Sequence, residues 1–174
     1  YDKSSGGQNT HFFVTAQVLL IAIIDVLNHH APGEWGLRDV LNAGRSTQRL
    51  VALLLTCPET ETLVEQHFTV ETTARSVMAT LDSYLRILHP IAAAWHRAEQ
   101  ERQSVSIRNW LDESGEILVL GNDPKAKAGL MAVNRMLFAE ASKGIRSIPG
   151  EATDNQTWIF LDELSELGKL DSLK

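Results

Sequence analysis

The sequence has 174 residues, a length that suffices for one well-buried core or for a small domain with part of a neighbour. Hydrophobic residues make up 44% of the chain and charged residues 22%, which excludes disorder along its whole length. The formal net charge of -6 excludes a protein that coats nucleic acid with its whole surface, so any DNA contact requires a local basic patch. The single cysteine, Cys57, excludes an intrachain disulfide bond.

The N-terminal part combines a polar segment with a long apolar one. The chain begins with Tyr1 rather than methionine, and residues 1–7 are rich in serine and glycine. We therefore expect a fragment of a longer protein, with a mobile segment over residues 1–7. The apolar stretch from Phe12 to Leu27 contains Asp25, whose charge would be costly in a bilayer. This pattern predicts a core helix, buried nearly all round, rather than a membrane span.

Residues 8–103 are predicted to form an all-helical domain. Apolar residues recur at steps of three and four between Gln8 and His30, the period of a helix. A second apolar stripe with this period runs from Val70 to Leu88. Turn and capping residues predict helix boundaries or kinks at Gly33, Ser46, Pro58 and Pro90.

Residues 104–174 are predicted to form part of an α/β domain. Glu116–Gly121 and Trp158–Leu161 contain short, continuous apolar runs, the pattern of strands buried on both faces. Between them, Asp123 and Pro124 are typical of a helix start, and an apolar stripe continues to Ile145. Strand, helix and strand predict a βαβ unit with parallel strands. The predicted fold class is mainly α, a helical bundle followed by a partial α/β segment.

Two acidic residues, Asp162 and Glu163, directly follow the second predicted strand. Ligands bind at the carboxyl ends of strands in an open parallel sheet. One acid at this edge can hold Mg²⁺ through water, and a second can activate an attacking water molecule. The alternative is that the two acids only lead the chain out of the core, with Asp162 capping the next helix.

Other polar side chains give further candidates. Arg38, Arg45 and Arg49 lie close together in the sequence and are a candidate patch for DNA or an acidic partner. The alternative is a solvated helix face, as most arginines on helices form. The adjacent His29 and His30 would point about 100° apart on a helix, which favours a role at the helix C-terminus over a metal site.

The segment after the second predicted strand resembles a known motif. It reads Phe160-Leu161-Asp162-Glu163-Leu164-Ser165-Glu166-Leu167-Gly168-Lys169-Leu170-Asp171-Ser172-Leu173. This string resembles the Walker B block of the conjugative coupling proteins, the TraD/TraG-type ATPases of type IV secretion. Upstream, residues 106–111, the predicted strand and the predicted helix occur in the order found in that family. The helical stretch resembles the family's all-alpha domain, which is inserted in a RecA-like motor.

The resemblance implies a role for the intact protein. It would be a membrane-anchored, homo-hexameric ATPase that uses ATP and Mg²⁺ to drive relaxase-bound DNA into a type IV secretion channel. Asp162 would be the Mg²⁺ acid and cofactor-binding residue, and Glu163 the catalytic, water-activating acid. The helical domain would recognise DNA or relaxosome proteins, on the cytoplasmic side of a bacterial inner membrane.

One motif of the family is absent from this sequence. There is no Gly-x-x-x-x-Gly-Lys-Ser/Thr P-loop, which the resemblance places upstream of the helical domain. Residues 104–174 are therefore expected to be a partial nucleotide-binding domain that ends just after Walker B. The fragment alone is expected to be a monomer that binds no cofactor and hydrolyses no ATP. Two alternatives remain: a non-enzymatic helical interaction module, and another RecA-like DNA translocase of the chromosome-segregation or virus-packaging kind.

Overall fold

A computed structural model describes residues 5–103, 105–112, 115–147 and 157–160, with the side chains of residues 5–9 excepted. The chain divides into two compact units, Tyr1–Arg97 and Ala98–Lys174. Within the described ranges the protein forms seven α-helices and no β-strand. The helical part of the predicted fold class is thereby confirmed.

The first unit is built from five consecutive helices. They are α1 (Ser5–His30), α2 (Leu37–Ala43), α3 (Thr47–Leu54), α4 (Pro58–Phe68) and α5 (Glu71–Gln100), of which the last extends past the unit boundary. Three of the predicted boundary residues act as expected. Gly33 takes a φ of 78° in the turn after α1, the Ser46 hydroxyl accepts the backbone N–H of Arg49 at 3.3 Å, and Pro58 occupies the first turn of α4.

The core of the first unit lies where one face of α1 meets the other four helices. Its fully buried large side chains are Leu19, Ile23, Val26, Leu50, Leu54, Val77 and Leu81. Burial of a side chain of this kind contributes roughly 1.5–3 kcal/mol to the free energy of unfolding. The contact of α1 with α2, α3 and α4 therefore fixes the short helices, whose own lengths of seven to eleven residues are marginal for isolated helices.

The prediction that α1 is buried nearly all round is wrong. Val14, Val18 and Ile21 are 49%, 39% and 58% exposed, although they lie in the most apolar stretch of the chain. The physical reason is that the bundle covers α1 fully on one side only, so a second apolar face stays partly exposed. Apolar periodicity shows which residues can be buried, but it does not show how many neighbours a helix acquires.

The same helix contains the one segment of the described chain that is long and apolar enough to cross a membrane, Thr10–His30. The core helix of a water-exposed bundle meets this criterion as well. Leu19 and Ile23 are fully buried against the other helices, and Asp25 interrupts the apolar surface. These contacts agree with the predicted role of α1 as a helix of the core.

Helix α5 runs through Pro90 without ending. A proline in a helix interior removes one backbone hydrogen bond and crowds the preceding turn. Beyond it, Ile91 and Ala92 are buried, and this packing offsets the local cost. The helix ends after Gln100 with Arg102 in the left-handed conformation, φ 56°, while the N–H of Gln103 donates to the carbonyl of Ala98 at 2.8 Å.

The second unit contains α6 (Ile107–Asp112) and α7 (Lys127–Ser147), which pack on each other. The Ser106 hydroxyl caps α6 by accepting the N–H of Asn109 at 3.3 Å. Asp123 accepts the N–H of Lys125 at 2.9 Å, so it forms a turn before α7 and the helix itself begins later than predicted. Val133, Phe138 and Ala141 provide the buried face of α7.

Neither predicted strand is formed in the described residues. Residues 116–123 and 157–160 have no helix or strand structure. Ile117 is 88% exposed and Phe160 is 89% exposed, and Leu118 and Leu120 are only partly buried, so neither apolar run is buried on both faces. A strand requires a neighbour for its backbone hydrogen bonds, and two strands alone are marginal in water. The partial RecA-like βαβ segment therefore stays a prediction from the sequence.

A substitution at Gly44, which follows α2 and lies against Leu85 of α5, tests how closely the two helices pack. A Cβ added there would come within 2.3 Å of Leu85 Cδ1, in the buried core. We expect Gly44→Ala to lower the free energy of unfolding by about 1–3 kcal/mol, measured by urea denaturation, because the core is already full. Combined with Leu85→Ala, the same change should cost less, because the clashing methyl group is gone.

Gly121 supplies the matched control for this prediction. A Cβ added at Gly121 would meet no atom within 4 Å. Gly121→Ala should therefore change the free energy of unfolding by less than about 0.5 kcal/mol. Equal effects of the alanine substitutions at Gly44 and Gly121 would contradict the close approach of α5.

Candidate functional site

The two acids of the predicted Walker B motif, Asp162 and Glu163, lie outside the described residues. Their assigned roles with Mg²⁺ and water therefore remain predictions from the sequence. The three described residues that precede them most closely, Trp158, Ile159 and Phe160, are all exposed.

The three candidate arginines lie on one continuous stretch of the first unit, residues 37–54, which we call the α2–α3 segment. Arg38 is in the first turn of α2, Arg45 in the turn between the helices, and Arg49 in the first turn of α3. All three side chains are exposed. Arg38 lies on the exposed side of α2, and Arg45 follows the end of this helix after Gly44.

No acidic side chain neutralises these arginines within the described structure. Between Gly36 and Cys57 the only acid is Asp39, and its carboxylate accepts the backbone N–H of Gly36 at 2.9 Å. The described ion pairs both lie on α5. The α2–α3 segment therefore carries a local positive charge on a chain whose net charge is negative.

The start of α3 strengthens this local charge. Helices α2, α4 and α5 each have an acidic residue in the first turn, where it complements the partial positive charge of the helix N-terminus. Helix α3 has none and instead carries Arg49 there. The N-terminal dipole of α3 and the guanidinium groups of Arg45 and Arg49 thus all favour an anion at this position.

Two arginines of α5 show the opposite arrangement. Arg75 pairs with Glu71, and Arg86 pairs with Asp82 at 2.6 Å, each one helical turn away. The hydrogen bond and the charge of Asp82 raise the pKa of the Arg86 guanidinium. These two residues are exposed cations whose charge is balanced locally, which makes them a natural comparison for Arg45 and Arg49.

The histidines do not assemble a metal site in the described part of the chain. No group of three histidine, cysteine or carboxylate side chains is close enough there to hold a metal ion. His29 and His30 occupy the last turn of α1, as predicted, with their rings at 5.0 Å. The His30 Nε2 atom lies 2.9 Å from the Thr56 hydroxyl and 3.6 Å from the sulfur of Cys57.

A second histidine pair joins α1 to α4. The rings of His11 and His67 lie 6.3 Å apart. Burial, with a smaller contribution from the charge of His11, lowers the pKa of His67 below its usual value of 6.5. The neutral form is therefore favoured by folding, so this contribution to stability is present above pH 6.5 and is lost as the pH falls toward the pKa of the folded state.

Sequence reasoning missed one feature, a groove of about 400 Å³ between α1 and the first half of α4. The apolar residues Val18, Ile21 and Leu63 line it, together with the carboxylates of Asp25 and Glu59. The four- and three-residue spacing of Val14, Val18 and Ile21 was visible in the sequence. It was assigned to the core, because nothing in that spacing distinguishes a covered face from an open one.

Comparison with known families identifies the class of this chain. Residues 2–174 match the model of the type IV secretion-system coupling protein DNA-binding domain. The chain therefore belongs to this family, and the coupling-protein resemblance is confirmed at that level. Comparisons with curated proteins and with solved structures gave no match.

Proposed function

We propose that this chain is the DNA-contacting helical part of an ATP-driven coupling protein, and that the α2–α3 segment touches the DNA backbone. The observation that carries the proposal is the set of three exposed arginines without an acidic partner in the described structure. They stand on a chain of net charge -6, so a long-range attraction between the whole protein and DNA cannot substitute for them.

The chemistry of these side chains fits phosphate rather than base recognition. A guanidinium group presents a planar fork of donors that matches two phosphate oxygens. Neither α2 nor α3 is long, and both are anchored by buried residues such as Val40 and Leu50, so they present their outer side without unfolding. Contacts of this kind position a protein on DNA with little sequence preference, and their strength falls steeply with salt.

The proposed motor comprises more than this chain. The family match, and the resemblance of the residues around Asp162 and Glu163 to the Walker B block of conjugative coupling proteins, support a homo-hexameric ATPase that uses ATP and Mg²⁺. Such a motor would receive relaxase-bound DNA and pass it to a type IV secretion channel from the cytoplasmic side of a bacterial inner membrane. Here Asp162 would hold Mg²⁺ and Glu163 would take a proton from the attacking water.

The DNA contact is tested by matched pairs of arginine substitutions. We expect Arg45→Ala with Arg49→Ala to weaken binding to a duplex of random sequence, measured by fluorescence anisotropy between 50 and 200 mM salt. Each lost phosphate contact should reduce the slope of log K against log salt by about 0.9. Adding Arg38→Ala should reduce both affinity and slope further.

Arg75→Ala with Arg86→Ala is the control, because it removes the same amount of charge from exposed positions of the same unit. Their carboxylate partners already balance these two arginines, so the salt slope should stay close to that of the unchanged chain. An equal loss in both double variants would show that only net charge matters, and would contradict the assigned surface.

The motor is tested in the intact protein that contains this chain. We expect Glu163→Gln to reduce ATP hydrolysis by about 10²–10⁴-fold, as the loss of a general base does, while binding of ATP persists. Glu166→Gln, three residues further on, should leave hydrolysis near its original rate. An intact protein that hydrolyses no ATP before substitution would favour the non-enzymatic interaction module.

A further inference from the structure

The second surface of interest is the exposed face of α1. Helices on the surface of a globular protein carry polar residues on their outer face. On α1, Val14, Val18 and Ile21 form an exposed apolar stripe, although Leu19 and Ile23 already supply the buried one. Exposed apolar stripes with polar edges are typical of surfaces that bind another molecule.

The stripe continues into the groove between α1 and α4, which we call the α1–α4 groove. Along α1 its lining runs from Val18 to His29, roughly 16 Å at 1.5 Å per residue. On the opposite wall lie Cys57, Thr60 and Leu63. The length corresponds to about three turns of a partner helix, and an apolar groove between two helices is a common seat for an amphipathic helix.

The charge of the groove indicates what kind of helix fits. Asp25 and Glu59 lie in its lining, which contains no lysine or arginine. Neither carboxylate forms an ion pair or a hydrogen bond with another described residue. A partner that buries the apolar stripe would come close to both carboxylates, so basic side chains beside its own apolar stripe would gain two complementary charges.

Two other occupants fit this charge less well. An anionic membrane surface attracts basic segments, and the carboxylates of Asp25 and Glu59 would be repelled by it. In a two-fold dimer the same patch of each copy faces the other, so these carboxylates would meet carboxylates.

We propose that the α1–α4 groove is a docking site for an amphipathic helix of a partner protein whose apolar stripe is flanked by lysine or arginine. The groove shares no residue with the α2–α3 segment. The chain thus presents an acidic, apolar surface for a protein and a separate basic surface for DNA.

The probes for the test are two synthetic 18-residue helical peptides with the same leucine stripe. One carries lysine at the flanking positions and the other carries glutamate. We expect the lysine peptide to bind the 174-residue chain and to shift the NMR resonances of Val18, Ile21 and Leu63. The glutamate peptide should bind at least about tenfold more weakly, because its charges meet Asp25 and Glu59.

Substitutions then distinguish binding in the groove from non-specific hydrophobic association. Ile21→Glu should lower the affinity of the chain for the lysine peptide by about tenfold or more. Val70→Glu is the matched control, since Ile21 and Val70 are both 58% exposed, and it should leave the affinity nearly unchanged. Thermal unfolding of both variants checks that they remain folded, which their exposure predicts.

A second pair of variants separates the groove from net charge. Asp25→Asn with Glu59→Gln removes the two groove carboxylates, whereas Glu34→Gln with Glu61→Gln removes two exposed carboxylates outside the lining. Only the first pair of substitutions should lower the affinity of the chain for the lysine peptide. Arg45→Ala with Arg49→Ala should leave peptide binding intact, so a failure of the DNA contact and a failure of the docking site are distinguishable.

Each of three results would overturn the docking site. If the two peptides bind with equal affinity, or if the two pairs of carboxylate substitutions change the affinity equally, Asp25 and Glu59 do not select a basic partner. If the chain forms a concentration-dependent dimer and Ile21→Glu makes it monomeric, the groove binds a second copy of the chain. If the chain floats with anionic vesicles and Ile21→Glu prevents this, the groove binds a membrane.

Discussion

The packing of α1 against the other helices of the first unit is the interaction on which its structure depends. Leu19 and Ile23 of α1 are fully buried in the same cluster as Leu50 of α3 and Leu81 of α5. The short helices α2 and α3 contribute few buried residues of their own. Their position, and with it the position of the α2–α3 segment, is determined by the apolar surface that α1 offers.

The sequence predicted the local structure of this unit well. The period of the apolar residues predicted α1 and α5. Ser46 and Pro58 indicated helix starts, because the Ser46 hydroxyl accepts a backbone N–H of the first turn and the Pro58 ring suits the first helical position. These determinants lie within a few residues of each other along the chain. Local chemistry is therefore sufficient for them.

Features that depend on neighbours were less predictable. The apolar run around Ile117 predicts a strand only if other strands accept its hydrogen bonds, and the described residues provide none. The open face of α1 could not be inferred for the converse reason, since an apolar residue such as Ile21 is compatible with a core and with a docking surface. Of the candidate site, the arginines were identifiable from composition, whereas the α1–α4 groove required the placement of α4 beside α1.

Charge separates the two surfaces of the first unit. Arg45 and Arg49 lie at the N-terminus of α3, whose first turn holds no acidic residue, while Asp25 and Glu59 lie in an apolar groove. The two surfaces share no residue, so the proposed DNA contact and the proposed docking of a basic helix would not compete for the same side chains. In a coupling protein, this arrangement would link the transported DNA to the proteins that accompany it.

Hydrogen–deuterium exchange of the chain with and without duplex DNA at low salt tests the central claim most directly, because it maps the contact onto the backbone without any substitution. We expect slower exchange across residues 37–54 when DNA is present, with the exchange of the α5 backbone around Arg75 and Arg86 unchanged. Protection confined to α5 or to the α1–α4 groove, with residues 37–54 unaffected, would contradict it.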